Sequence, residues 1–188
     1  MIDLLIRKII HILFGLTLYI MIQIYGKQVQ FIFLLIAAFF IIFDIGRYKL
    51  KSWGKIFYSA FGKLLKEDEK RNNMTGATLF VLIAAVVIVL FPPHIAKVSI
   101  LIITFSDSFA SIAGQIFPIF TIWKTKSLSG SLAFFLTSVF ILDFSFQNDI
   151  LYLLFVAIII TCIELFADVR FENFLVGLVS ATLIYFLL

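Results

Sequence analysis

Apolar residues run along this chain in long blocks, broken by short polar stretches, and hardly ever alternate with polar ones. The blocks cover 9–25, 29–43, 76–91, 95–117, 130–146, 150–166 and 174–188. Blocks of this length with almost no charge predict buried or membrane-embedded helices rather than strands. They predict an all-α, polytopic transmembrane helix bundle of about seven spans, forming a single integral membrane domain over 1–188. Several cores fall short of the ~20 residues of a full span. The basic start Arg7-Lys8 ahead of 9–25 resembles a leader, but no small-residue cleavage site comes after it, so this block reads as the first span. Pro92-Pro93 stops the third block, and Thr75 or Asn73 is placed to cap its start.

One long segment, 44–75, breaks the pattern. Trp53, Ile56, Phe57, Ala60, Phe61, Leu64 and Leu65 recur there at helical spacing, with Lys55, Ser59, Gly62, Lys63 and Lys66 on the other face. This predicts a basic amphipathic helix near 53–66, lying flat in the headgroup layer. The same pattern also fits an ordinary helix packed under the bundle.

Composition narrows the class. Hydrophobic residues make up 63% and charged residues 14% of 188, with mean hydropathy +1.15, too little polar surface for a soluble domain. The net charge of +4 is not a nucleic-acid footprint, because the basic residues flank apolar spans. With the N-terminus in the cytoplasm, thirteen lysines and arginines lie on the cytoplasmic side, and two, Lys27 and Lys97, lie outside. That asymmetry sets the orientation by the positive-inside rule. Cys162, the single cysteine, sits in an apolar run and reads as a small buried hydrophobe. The chain shows no internal repeat, so an inverted-repeat transporter gains no support.

Polar residues inside the apolar blocks are then few and one-sided. Arg7 and His11 share a face at the start of span one. Asn73, Thr75 and Thr78 open span three, and Lys126, Ser127 and Ser131 open span five. Glu164 closes span six, with Asp168, Arg170, Glu172 and Asn173 in the loop beyond it. Asp143 and Asp149 read as solvated outer ends. Asp107 stands within span four, and a carboxylate at membrane depth is a functional-site hypothesis by default. Ala110, Ala113 and Gly114 fit a small-residue packing stripe, which leaves Asp107 unexplained. Carboxylates with a lysine, and no Cys/His cluster, suit Mg²⁺ and phosphate better than zinc. Ten residues beyond Lys97, at ~1.5 Å each, Asp107 lies about 15 Å inward, near the midplane of a ~30 Å core. Its supposed partners lie at the rim. The expectation is a deep pocket open to the cytoplasm with Asp107 on its wall, or a span tilted or broken around Gly114.

These residues fall into five ordered motifs that resemble the CTP-dependent lipid kinase family of dolichol kinase, phytol kinase and the yeast-type diacylglycerol kinase, distant relatives of phosphatidate cytidylyltransferase. Arg7-Lys8-Ile9-Ile10-His11 resembles its Arg-Lys-x-x-His, and Glu69 with Thr75-Gly76-Ala77-Thr78 its Glu and Thr-Gly-Ala-Thr. Asp107 through Gly114 resembles Gly-Asp-x-x-Ala-x-x-x-Gly. Lys126-Ser127-Leu128-Ser129-Gly130-Ser131 resembles Lys-Ser-x-Glu-Gly-Ser, and Glu164 with Glu172-Asn173 a closing Glu and Asp-Asn. Ser106, Gln115, Ser129 and Glu172 depart from the family's usual glycine, basic residue, glutamate and aspartate.

The resemblance implies transfer of the γ-phosphoryl group of CTP to the hydroxyl of a membrane lipid alcohol, a polyprenol, a phytol-like alcohol or a diacylglycerol. It implies Asp107 and Lys126 as catalytic residues and Asp107, Glu164 and Glu172 as Mg²⁺ ligands. Arg7, His11, Thr75, Ser111, Gly114, Ser127, Ser129, Gly130, Ser131 and Asn173 would contact nucleotide or lipid. The partners implied are the lipid alcohol and a cytoplasmic nucleoside triphosphate. Two alternatives remain: a CDP-lipid-forming cytidylyltransferase, whose longer Lys-Asp and Pro-Gly-His-Gly-Gly-type signature is absent, and a non-catalytic membrane member of the family, for which Ser129 is the best argument.

Overall fold

A computed structural model describes residues 2–65, 69–70, 73–146, 149–168 and 170–187. Every apolar block in it is a helix. They are α1 (Ile2–Tyr25), α2 (Gln30–Lys49), α3 (Lys51–Phe61), α4 (Gly76–Leu90), α5 (Pro93–Leu101), α6 (Asp107–Ile116), α7 (Leu128–Ser145), α8 (Ile150–Phe166) and α9 (Glu172–Leu187). A 3₁₀ turn, Gly26–Val29, joins α1 to α2, and Gly26 adopts φ 56°, which a residue without Cβ takes at no steric cost. A π-helical turn, Ile102–Ser106, joins α5 to α6 in one rod. The only regular extended structure among the described residues is a short antiparallel pair, β1 (Thr121–Trp123) with β2 (Lys126–Ser127).

The chain is therefore an all-α membrane bundle, as its pattern predicts. The continuous stretches Ile2–Lys49, Pro93–Ile116 and Leu128–Ser145 are long and apolar enough to cross a bilayer, and α4, α8 and α9 are shorter apolar helices. The outer surface is itself apolar: Phe144 is 83% exposed and Phe186 74%. Surface of that kind is stable only against lipid. Inside, α4 and the α5–α6 rod form the centre, with Phe80, Ile83, Ile88, Ile100 and Ile103 fully enclosed. Small polar groups join the helices there. Ser99 donates to the Gly177 carbonyl at 2.7 Å and lies 2.8 Å from the Ser180 hydroxyl, tying α5 to α9; interhelical hydroxyl bonds of this sort are common in membrane bundles.

Three details differ from the sequence pattern. Helix α2 continues to Lys49, so Asp44 and Arg47 lie in its last turns and are buried, because nothing in 44–49 breaks a helix. The amphipathic helix covers Lys51–Phe61 rather than 53–66; Leu64 and Leu65 continue in turns, and Lys66, Glu67, Asp68, Arg71 and Asn72 lie outside the described residues. Cys162 is exposed on α8 rather than buried, on a face that an apolar bundle turns to lipid.

Candidate functional site

Asp107 begins α6 immediately after the π turn and is 5% exposed. A π turn widens the helix and rotates the residues after it, and such turns are frequent at functional sites. This is where the rod departs from regularity, ahead of Asp107 rather than around Gly114. Helix α1 lies directly against the turn: a Cβ on Gly15 would sit 2.1 Å from Thr104 Oγ1. That close approach brings Lys8, two turns earlier, over Asp107. Lys8 Nζ donates to Asp107 Oδ2 at 2.5 Å. His11 Nε2 lies 3.1 Å from the Ile103 carbonyl of the π turn and 3.9 Å from Asp107 Oδ2, and its ring packs edge-on against Phe80. A charge pair this deep is worth little as a source of stability, but breaking it strands a buried charge.

A second ionic group lies beside the first. Lys126 on β2 donates to Glu164 at the end of α8 and, at 2.6 Å, to Glu172 Oε2 at the start of α9. Burial works against the Lys126 charge, but the Glu172 and Glu164 carboxylates outweigh it and hold the ammonium well above the usual lysine range. An ammonium has three protons, and two are directed at these carboxylates. One oxygen of Glu164, Oε2, is buried with no hydrogen-bond partner among the described residues.

Asp44 organises a third group. Its Oδ2 accepts from the Thr75 N–H at 2.8 Å, the Thr75 hydroxyl at 3.1 Å and the Thr78 hydroxyl at 2.5 Å. Its Oδ1 lies 2.8 Å from Arg47 Nε, an ionic contact without hydrogen-bond alignment. Glu69 Oε1 accepts from the Gly76 N–H at 2.7 Å, and Thr75 caps α4 by accepting from the Thr78 N–H. Two carboxylates thus complement the positive end of α4. Arg47 and Tyr48 both donate to the Asn73 carbonyl, anchoring the return from the polar segment.

All three groups border one cavity of about 400 Å³, a size ordinary for a small-molecule site. Its charged and polar lining includes Arg7, Lys8, His11, Asp107, Glu172 and Asn173, together with Asp44, Glu69 and Thr75. The rest is aromatic and aliphatic, with Phe39, Phe40, Phe43, Phe57 and Phe61 prominent. Arg7, His11, Thr75, Asp107, Glu172 and Asn173 therefore line the same cavity. Lys126 and Glu164 join them through Glu172.

The remaining candidates do not line the cavity. Ser127 caps α7 and accepts the Gly130 N–H at 3.1 Å, Ser129 donates to the Phe117 carbonyl, and Ser131 stands beside them. The Gly130 N–H is thereby engaged inside the protein. A Cβ on Gly114 would sit 2.8 Å from Ser127 Oγ, so the small residues of α6, Ser111 with them, serve its approach to α7. Asp107, Glu164 and Glu172 do not gather at one point: among the described residues no group of three or more His, Cys, Asp or Glu is placed to hold a metal ion. Two residues had weak sequence signals. Lys8 was overshadowed by its neighbour Arg7, and Asp44 read as the end of a span. A carboxylate and an arginine three apart in an apolar helix end were the available sign.

Comparison with known proteins agrees with the motifs. The chain is 32% identical over 99 residues to CTP-dependent diacylglycerol kinase 1 of Schizosaccharomyces pombe (strain 972 / ATCC 24843), a match covering 52% of this chain and 45% of that protein. The chain thus matches less than half the length of this curated relative. No family model matches the chain, and no solved structure matches it significantly. The similarity supports the CTP-dependent lipid kinase family and leaves the acceptor undetermined.

Proposed function

We propose that the chain is a membrane lipid kinase that transfers the γ-phosphoryl group of CTP to the hydroxyl of a lipid alcohol, with its charged site facing the cytoplasm. The observation that carries this is the make-up of the cavity: mostly aromatic and aliphatic walls, with the buried Lys8, Asp107 and Glu172 among them. A lipid alcohol has the same profile, one hydroxyl on a long apolar tail. The CTP preference comes from the similarity, and the orientation from the distribution of lysine and arginine.

Phosphoryl transfer asks a protein mainly for positioning and charge neutralisation. Asp107, held in place by Lys8, faces the acceptor hydroxyl and takes its proton as the oxygen attacks the γ-phosphorus. The bond from that phosphorus to the β-bridging oxygen breaks, and CDP leaves. Arg7 and Lys8 offset the phosphate charge. The carboxylates Glu164 and Glu172 would hold Mg²⁺, and the orphaned Oε2 of Glu164 fits such a role. Mg²⁺ commonly uses one or two carboxylates and takes its other ligands from phosphate and water, which suits a site with no larger acidic group. When bound, the ion neutralises charge on the phosphates. Lys126 spaces the two glutamates and limits their mutual repulsion until then.

The test is transfer in phosphatidylcholine vesicles containing a panel of lipid alcohols, with Mg²⁺ and CTP labelled at the α or the γ phosphate. Label reaching lipid from the γ position alone is the expected result. Label from the α position would establish cytidylyl transfer instead, and no transfer across the panel would establish the non-catalytic reading.

A further inference from the structure

The cavity is not closed toward the bilayer. Ile10 on α1, Phe39 on α2 and Phe61 at the end of α3 line it, yet are 49%, 61% and 46% exposed. Wall residues this exposed stand at the mouth of the cavity rather than at a closed end. The helix packing explains the breach. Helix α1 packs against α5, α6 and the π turn, whereas α2 packs against α4 and α3. Beyond the Gly26–Val29 turn the two diverge, and the cavity is the fissure between them. The surface around the breach carries Ile9, Leu13, Leu35 and Ile42, all exposed, so the opening meets hydrocarbon rather than water.

We propose that the acceptor's hydrocarbon tail lies in this fissure and passes into the bilayer through a side portal bounded by Ile10, Phe39 and Phe61. The proposal rests on the lipid-kinase reading for the identity of the occupant, and three features of the site select a hydroxyl lipid. Lys8 and Asp107 are buried while Ile10, Phe39 and Phe61 are exposed, so a lipid enters hydroxyl first. The aromatic wall from Phe40 and Phe43 to Phe57 and Phe61 offers apolar contact to a tail, and the acidic flank of Asp44 and Glu69 disfavours a second, phosphate-bearing group. A volume of about 400 Å³ encloses a headgroup and the first part of a chain, within the ~300–1,000 Å³ of small-molecule sites. The remainder of a long tail has to leave, and the portal is where it leaves without meeting water. The acceptor would therefore never quit the membrane, and its chain length beyond the portal would matter little.

Photocrosslinking with the full chain in phosphatidylcholine vesicles tests this without nucleotide. The probes are a diacylglycerol and a long-chain prenol, each with a diazirine part-way along a chain, and a phosphatidylcholine carrying the same labelled chain. The expected result is label on α1 around Ile10–Phe14 and on α2 around Phe39–Phe43 from a hydroxyl probe. That label should exceed the phosphatidylcholine label at least about fivefold, and Ile10→Trp with Phe39→Trp should reduce it by a similar factor. Leu136→Trp, on the exposed face of α7, should leave it unchanged. Equal labelling by all probes, no labelling by either hydroxyl probe, or labelling centred on α7–α9 would overturn the portal. Portal labelling in a protein that transfers no phosphate would defeat the kinase reading alone. Transfer with labelling on α7–α9 would defeat the portal alone.

Discussion

Lys8 and Asp107 are ninety-nine positions apart in sequence and 2.5 Å apart in space. Each neutralises the other in a setting where water cannot. Removing one partner strands the other, so Lys8→Met and Asp107→Asn should each destabilise the protein by about 3–5 kcal/mol, and the double variant should cost less than either. Unfolding in detergent checks the order. In the transfer assay Asp107→Asn should lose at least about 10²-fold in rate, and activity within a few fold of wild type would remove Asp107 from the centre of the mechanism. Lys126 yields a prediction about pH. Its folded value lies above the ordinary lysine value of 10.5, so the stability its clasp supplies is fully present below that value. It is lost only as pH rises through the raised one. Any alkaline loss of activity below about pH 10 must then come from another group, and Lys126→Arg should leave that limb of the rate profile where it was.

At the scale of elements, the seam between α1 and the π turn decides whether the site exists. Gly15 has no room for a side chain: even Cβ would sit 2.1 Å from the Thr104 hydroxyl oxygen, far inside van der Waals contact. Gly15→Val should force the helices apart, cost about 1–3 kcal/mol of overpacking and separate Lys8 from Asp107, lowering activity more than stability. Gly15→Ala combined with Thr104→Ala should recover part of that loss, which a general folding defect would not. The start of α4 depends in the same way on Asp44. Asp44→Ala removes the acceptor for the Thr75 N–H and both hydroxyls and leaves the buried Arg47 without its carboxylate. Faster amide exchange over 75–79, at the N-terminus of α4, is the expected sign.

At the scale of the whole molecule, the proposed orientation rests on the distribution of charge, and it can be checked from outside. In a Cys162→Ser background, Lys124→Cys should react with a membrane-impermeant maleimide from the cytoplasmic side and Lys27→Cys from the opposite side. The reverse pattern would put the charged residues of the cavity out of reach of cytoplasmic CTP. The segments and their class were legible in the chain because a span must be continuously apolar to sit in lipid, a local requirement that leaves a local record. Asp107 was legible for the converse reason, since a carboxylate there is too costly to be incidental. The stripe of Ala110, Ala113 and Gly114 was also readable as packing.

Other features depended on which helices meet. The pattern could not tell that α2 would carry Asp44 and Arg47 inward, because an apolar helix end looks the same whether it faces headgroups or a neighbouring helix. It could not choose between Arg7 and Lys8, which are adjacent in sequence but point about 100° apart on a helix. Nor could it separate Lys126 from a phosphate ligand, since the two glutamates that clasp it arrive on α8 and α9. By itself the sequence determined the class of the molecule and where its apolar helices lie, and it singled out a carboxylate inside one of them, all matters of transfer from water to lipid. Only the tertiary structure decided which cation answers that carboxylate, and that the fissure behind it opens sideways. The first stems from the packing of α1 on the π turn and the second from the divergence of α1 and α2, relations between helices that no single stretch of the chain contains.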